Sequence, residues 1–516
     1  MNYELRTTTL KKIQEYLLYL FIFLLPWQTR WIVRDAQISG GVFEYGRISI
    51  YSFDIIFLII LLSFLFEKNF YNQKSEIRNQ EFKTQNPKLK IYRPVFWFLI
   101  SVFLILNIII ASDKILTTYW WLRLMQGIIL LWLLKKIDFS QTKAALSFIF
   151  SITISAVLGI YQFITQNVFA SKWLGMASQN PGDLGVSVVE TMGGRWLRAY
   201  GNLPHPNILA GFIVMAIILF FWLILKTQNS MKAPLSSRNL EGWLPQENHK
   251  TQNKISKEQF LDSCPPERLC LAGFRGNDKK GNPLLLYYLI TLLLVVGLFF
   301  TFSSAAWLVL VIYSFLFLFF GRHPERSDGI LTKDSIDPPT PVGVPWNDGN
   351  KWFLVLCSGV FVFLCVIYWP FVDTRFSSFA RLEIKSNTER LAGYNTAWQM
   401  IKQDPLTGVG LGNYTVTLQK LNPNQPAWFY QPVHNVYLLI LAELGVIIPL
   451  ITLLLYYFIV YSKKFTTKNR QEKLNLMFLC LGGLMFFDHL WWTLPSGLLI
   501  LFLTLGKAWP KEKLTE

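Results

Sequence analysis

The sequence predicts an all-α polytopic membrane protein of about 12 transmembrane helices, with a large external loop between the ninth and tenth. Of its 516 residues, 52% are hydrophobic, 16% aromatic and 16% charged, against roughly 25% charged in soluble domains. Apolar runs of about 17–25 residues, enough to cross a bilayer ~30 Å thick, recur from end to end. Basic residues fall unevenly on alternate connecting segments, as they do when orientation is set by positive charge.

The runs cover 13–33, 49–66, 94–111, 116–134, 144–166, 205–225, 284–302, 305–320, 352–372, 435–461, 474–488 and 490–506. The first, with its apolar stretch Leu10–Trp31, is too long for a cleavable signal and ends in Gln28-Thr29-Arg30 rather than small residues. Residues 67–93 are basic and polar, a cytoplasmic loop. A single helix over 284–320 would be much longer than the membrane is thick, so a hairpin turning at Ser303-Ser304 is expected. Six spans thus lie in 1–226, two in 284–320, one in 352–372 and three in 435–516. The segments 227–283 and 321–351 are rich in Pro, Gly, Asn, Lys and Ser, without apolar period, and read as disordered cytoplasmic insertions.

The net charge of +17 suggests nucleic acid until its distribution is considered. With the amino terminus inside, the cytoplasmic segments hold 35 of the 49 Lys and Arg, and Arg123 lies within a span. Such asymmetry sets orientation, places both termini in the cytoplasm and leaves no call for a nucleic-acid partner. Attraction to anionic lipid heads accounts for part of the remainder. Of the five cysteines, Cys264 and Cys270 fall in a cytoplasmic segment and Cys357, Cys365 and Cys480 in spans. They form neither a disulfide framework nor a zinc motif.

Chemistry is expected in the external stretches 167–204 and 373–434, which carry aromatics, glycines and both signs of charge. Within the second, Leu391, Tyr394, Ala397, Trp398 and Ile401 recur at helical spacing, and Asp404-Pro405 ends the pattern. Three segments stand out. One runs from Arg195 and Arg198 through Gly201 and Pro204-His205-Pro206-Asn207 into a span. Another holds Arg390 and Trp398, then Asp404-Pro405-Leu406-Thr407-Gly408-Val409-Gly410-Leu411-Gly412-Asn413-Tyr414. The last is His434-Asn435-Val436-Tyr437-Leu438, continuing to Glu443 and Gly445.

Taken alone, these residues suit transfer from a diphosphate. Arginine's planar fork matches phosphate oxygens, and Arg198 leads Arg195 and Arg390 as candidate. Each could instead meet a lipid head. His434 stands at a helix start, where the positive end of the dipole favours a neutral ring able to accept a proton; a capping histidine is the plainer alternative. Asn435 caps or orients. Gly408, Gly410 and Gly412 lack nucleotide-loop spacing and a following lysine, so a tight turn is expected. Arg123 and Glu443 are ionisable groups within spans, which are costly and so candidates for substrate contact. His205, His434 and His489 face outward without metal-ligand spacing, so no metal is expected.

The three segments resemble the O-antigen ligase and polymerase superfamily. Its hallmarks are an external Arg…Trp helix, an Asp/His-Pro-Leu-x-Gly-x-Gly-x-Gly-Asn-Phe/Tyr turn, and His-Asn-x-Tyr-Leu…Glu-x-Gly. The resemblance implies a glycosyltransferase of the bacterial inner membrane, working on its outer face in lipopolysaccharide or other envelope polysaccharide synthesis. It implies transfer of a glycan from a polyprenyl diphosphate carrier to a hydroxyl on a glycolipid, glycan or protein, without cofactor or metal. His434 and Arg198 become catalytic candidates, with Arg195, Arg390, Asn435, Glu443 and Arg123 as substrate contacts. Twelve spans and one large late loop suit the ligase branch. A polymerase and a small-solute transporter are the alternatives, although no internal repeat marks a transporter. One departure stands out: members often carry Thr-x-Ser-Arg-Gly/Ala at the hairpin turn, where this chain reads Thr301-Phe302-Ser303-Ser304-Ala305. Another cation must then compensate, or the donor differs.

Overall fold

The computed structural model describes residues 3–75, 100–232, 283–320, 348–376, 381–451 and 479–508. Most of 67–93 and nearly all of the two expected insertions, 227–283 and 321–351, lie outside these residues.

The described chain is mostly helical. At its centre is the helix Pro206–Lys232, apolar on all sides, which continues past the expected span end at 225. Such a helix has no solvent face and belongs inside a bundle. Over Pro206–Leu223, 83% of it is buried. It packs against Gln141–Thr165, Pro283–Phe300 and Ser304–Phe320; Gln141–Thr165 also packs on Tyr3–Leu24, which pairs with Ser52–Ser75. Small residues let these helices approach. A Cβ on Gly297 would stand 2.7 Å from that of Ala156. On the other side, Lys114–Lys136 packs on Pro495–Ala508. There a Cβ on Gly127 would stand 2.2 Å from the Phe502 ring.

Among the described residues, Gln141–Thr165 and Pro206–Leu223 are each long and apolar enough to cross a membrane alone. Ile100–Ile110, Tyr288–Phe300, Ser304–Leu316 and Pro495–Gly506 are shorter apolar helices. The apolar helices fit a membrane protein; the full count of twelve spans goes further than they do.

Several expected spans end early, for local reasons. The helix beginning at Tyr3 stops at Leu24, just before Pro26, and Arg30–Arg34 is a strand paired antiparallel with Ile48–Tyr51. Trp31, Ile32 and Val33 look like membrane residues by hydropathy, yet they sit exposed on that strand. Two further antiparallel pairs, Gln37–Ile38 with Gly41–Val42 and Val188–Thr191 with Gly194–Leu197, add hairpins that an all-α reading lacks. Near the carboxyl end, the expected 435–461 span is broken at Gly445 before helix resumes at 447, with 452–461 outside the described residues, and Leu490–Thr493 is separated from Pro495–Ala508 by Leu494.

The helices Pro283–Phe300 and Ser304–Phe320 meet in a tight turn at which Phe302 has φ +46°. Aromatic rings hold it. Phe163 stacks on Phe300 at 4.3 Å, Phe302 on Phe371 at 5.5 Å and Phe299 on Trp307 at 5.6 Å. Each such pair contributes ~0.5–1.5 kcal/mol beyond area burial. This knot fixes the start of Ser304–Phe320, and with it one wall of the site.

Candidate active site

The helix Arg381–Gln403 buries Ala397 and Met400 and ends at Asp404-Pro405. The following turn lies along the end of Val436–Leu444, joined to it by backbone bonds. Val409 N donates to Ala442 O (2.9 Å), Gly410 N to Glu443 O (3.1 Å) and Val446 N to Pro405 O (2.9 Å). Such approach excludes side chains. Gly408 has φ +65°, and a Cβ there would stand 2.4 Å from the Glu443 carbonyl carbon. At Gly412, φ +76°, it would stand 2.2 Å from the Trp120 ring. Gly410 completes the turn at φ +103°.

Glu443 is 3% exposed and forms the post around which this turn is built. Its carboxylate accepts from the Trp492 indole N–H at 3.0 Å and from the backbone N–H groups of Gly412 and Tyr414. Asn435 caps the helix: its Oδ1 accepts from Leu438 N at 3.0 Å, while its Nδ2 donates to Phe486 O at 3.2 Å. Cap and cross-link together hold His434 beside Asp488 and His489.

His434 Nδ1 lies 3.8 Å from Asp488 Oδ1, and neither atom has a hydrogen-bond partner among the described residues. The His489 ring is 5.1 Å from that of His434. The other oxygen of Asp488 accepts from Asn207 Nδ2 at 3.3 Å. Asn207 Oδ1 in turn accepts from Arg198 Nη2 at 2.7 Å. Arg198 also donates through Nε to Thr301 O (2.6 Å) and through Nη1 to Ser187 Oγ (2.8 Å). A buried polar relay therefore runs Arg198–Asn207–Asp488 and stops one gap short of His434.

Beside this relay opens a cavity lined by Arg375, Arg390, Ser303, Ser304, Asn207 and Asp488 among others. Ser304 begins a helix, so backbone N–H groups of its first turn lack helical partners at the cavity wall. Arg375 pairs with Glu383 but keeps a buried Nε without a partner. Arg390 has no ion pair among the described residues. Burial, then the neighbouring Arg375, pushes the Arg198 guanidinium down; burial also pushes down that of Arg375, offset by Glu383. Arginine stays charged, so the main cost is burial, with repulsion from Arg375 added at Arg198 and from Arg390 at Arg375. An anion in the cavity would relieve it.

The expected residues therefore divide. Arg390 lines the cavity and His434 faces its Asp488 wall. Arg198 is 4% exposed, does not line the cavity, and spends its donors inside the chain. Arg195 lies on the 188–197 hairpin, 3.8 Å from Glu190 and outside the cavity. Arg123 is paired with Asp54, donates to Ser49 O at 2.8 Å and to Gln126 Oε1 at 2.9 Å, and lies 4.9 Å from the Tyr119 ring. Its charge is met within the bundle, and the Glu443 carboxyl is likewise bonded inside it rather than lining the cavity. Arg375 and Asp488 were not singled out from the sequence. Asp488 stood at the end of an apolar span, a placement that by itself signals cost and function. Arg375, just beyond a span, reads like any interfacial arginine.

Metal ligands are closer than the sequence spacing suggested. Donor atoms of His434, Asp488 and His489 lie within 4.8 Å of one another. A zinc ion bound at ~2.0–2.2 Å would require this trio to contract, and His489 Nδ1 is already 2.7 Å from Thr493 Oγ1.

The comparisons with known proteins bear on the same residues. No curated protein matches the chain. A family model described as O-Antigen ligase matches residues 289–453. That stretch holds most of the helical hairpin, Arg375, Arg390, the glycine turn and His434, and over it the chain is similar to the O-antigen ligase superfamily.

Proposed function

We propose that this protein is an O-antigen ligase-like glycosyltransferase, moving a glycan from a polyprenyl diphosphate to an acceptor hydroxyl on the outer face of the inner membrane. The observation that carries this reading is one cavity lined by Arg375, Arg390, a helix amino terminus and Asp488, with His434 Nδ1 3.8 Å behind the Asp488 carboxylate.

The diphosphate sits against the two guanidinium groups and the N–H groups at Ser304. Arg375 and Arg390 take the place of the arginine that members often carry at that turn. His434 removes the proton of the acceptor hydroxyl, and the freed oxygen attacks the anomeric carbon. The bond from that carbon to the diphosphate oxygen breaks, and its electron pair leaves with the diphosphate. Because the leaving group is already an anion held by cations, it needs no acid. Asp488 closes its 3.8 Å gap to His434 Nδ1 as the imidazolium forms, which orients and steadies the ring. Arg198 and Asn207 hold Asp488 in place and are positioning residues, as are Asn435 and Glu443.

The test supplies purified protein with a polyprenyl-diphosphate-linked oligosaccharide and candidate acceptors, and identifies the covalent product. The expected product is a glycosylated acceptor with release of polyprenyl diphosphate. Extension of one lipid-linked glycan by another would make the protein a polymerase. Solute flux with no covalent transfer would overturn the reading.

A further inference from the structure

Metal donors gather beside the proposed base. His434, Asp488 and His489 each place one donor atom within 4.8 Å of the others. Polar atoms that meet inside a protein normally pair, because a buried one left alone is costly. Here two facing atoms do not: His434 Nδ1 and Asp488 Oδ1 are both buried and without a hydrogen-bond partner among the described residues. At 3.8 Å they are too far apart to satisfy each other.

His489 is held ready for the same task. It is 2% exposed, and its ring Nδ1 lies 2.7 Å from Thr493 Oγ1. The Thr493 hydroxyl donates to the His489 carbonyl oxygen at 3.3 Å. With that proton directed to the carbonyl, Nδ1–H donates to Thr493 Oγ1 and Nε2 keeps its lone pair. Ligating histidines are commonly fixed in this way, through a bond at the other ring nitrogen.

Two imidazoles and one carboxylate suit zinc, whereas magnesium and calcium take oxygen ligands. Ligands ~2.1 Å from a tetrahedral zinc stand about 3.4 Å apart. The His434–Asp488 pair would then close by about 0.4 Å and the third ligand by no more than about 1.4 Å, which side-chain rotation supplies. Asp488 lines the arginine cavity, so an ion reaches the trio from that side. Arg375 and Arg390 line the same cavity and oppose a dication. Binding is therefore expected to be reversible, as suits an inhibitor rather than a resident cofactor.

We infer that His434, Asp488 and His489 form an inhibitory zinc site, in which the ion takes the lone pair that His434 needs to accept a proton. The site stands on its own geometry; its effect on transfer rests on the transferase reading above.

The test measures zinc binding to the metal-free full chain by calorimetry and, in parallel, transfer with and without added zinc. The wild type is expected to bind one zinc ion that Asp488→Asn and His489→Gln do not. Thr493→Val no longer fixes the His489 ring and should bind that ion about tenfold more weakly. Zinc should raise the melting temperature of the wild type and leave that of His489→Gln unchanged. Wild-type transfer should fall as zinc is added and recover on chelation, while His489→Gln keeps its transfer in the presence of zinc. Zinc not bound by the wild type, or bound equally by Asp488→Asn and His489→Gln, overturns the site. Zinc bound there without effect on wild-type transfer overturns the inhibitory role. If the wild type performs no transfer, the transferase reading fails, and the binding comparison still decides the site.

Discussion

At the scale of single residues, the proposed chemistry divides between His434 and Asp488. His434→Ala should lower turnover by ~10²–10⁴-fold with donor KM little changed, because proton removal matters only as the transition state forms. Chelation should leave the rate unchanged. Loss of activity on chelation, restored by a divalent cation, would replace the base by a metal held on His434, Asp488 and His489. Among the arginines the structure redistributes the expected roles. Arg375→Gln and Arg390→Gln should each raise donor KM by about tenfold or more, because each removes a cation facing the diphosphate. Arg198→Lys should instead lower the melting temperature with donor KM nearly constant. A lysine cannot reproduce donation to Thr301, Ser187 and Asn207 together, and bonds to charged groups are worth ~1.5–3 kcal/mol each. Donor KM rising in Arg198→Lys without loss of stability would return Arg198 to the diphosphate. His434, Arg390 and the glycine turn were legible in the sequence because they stand in compact motifs. The pairing of His434 with Asp488 was not, since 54 positions separate them and no local pattern links them.

Elements show the same division between what is local and what is not. The break between Phe300 and Ser304 was legible from length alone, because a continuous helix could not fit the bilayer. The strand Arg30–Arg34 was not, because hydropathy treats Trp31, Ile32 and Val33 alike in a span and on an exposed hairpin. What joins the elements around the site is backbone packing between the 404–413 turn and Ala442–Val446. Gly408→Ala should therefore abolish transfer or folding together, since the added Cβ meets the Glu443 backbone at 2.4 Å in a left-handed conformation. Asn435→Ala should be milder. Loss of the cap costs ~1 kcal/mol, and loss of the bond to Phe486 O loosens His434 relative to Asp488. Turnover in Asn435→Ala should thus fall more than donor affinity does. Asn435→Asp keeps the cap acceptor but not the Nδ2 donor, so recovered stability without recovered turnover would separate the two functions of the side chain.

For the molecule as a whole, function depends on which face of the membrane the site meets. The aromatic knot and the central helix Pro206–Lys232 belong to a bundle with the arginine cavity and the His434–Asp488 pair at the Pro206 and Ser304 ends of their helices. On the proposed reading the lipid-linked donor is used on the outer face, which would put that end outside. The basic residues of 67–93, 227–283 and 462–473 argue for the same orientation independently, because positive segments are retained inside. Reporters active only in the cytoplasm should therefore be active when fused at residues 75, 250, 335 and 467, and inactive at 185 and 410. The fusion at 410 carries most weight: the turn there is bonded to Glu443, on the helix that His434 precedes. A cytoplasmic signal at 410 would put His434 and the arginine cavity on the inner face, where a donor presented outside could not reach them. An inverted signal at 185 alone would instead place the 188–197 hairpin and Arg198 on the opposite side from the cavity, which the Arg198–Asn207–Asp488 relay forbids.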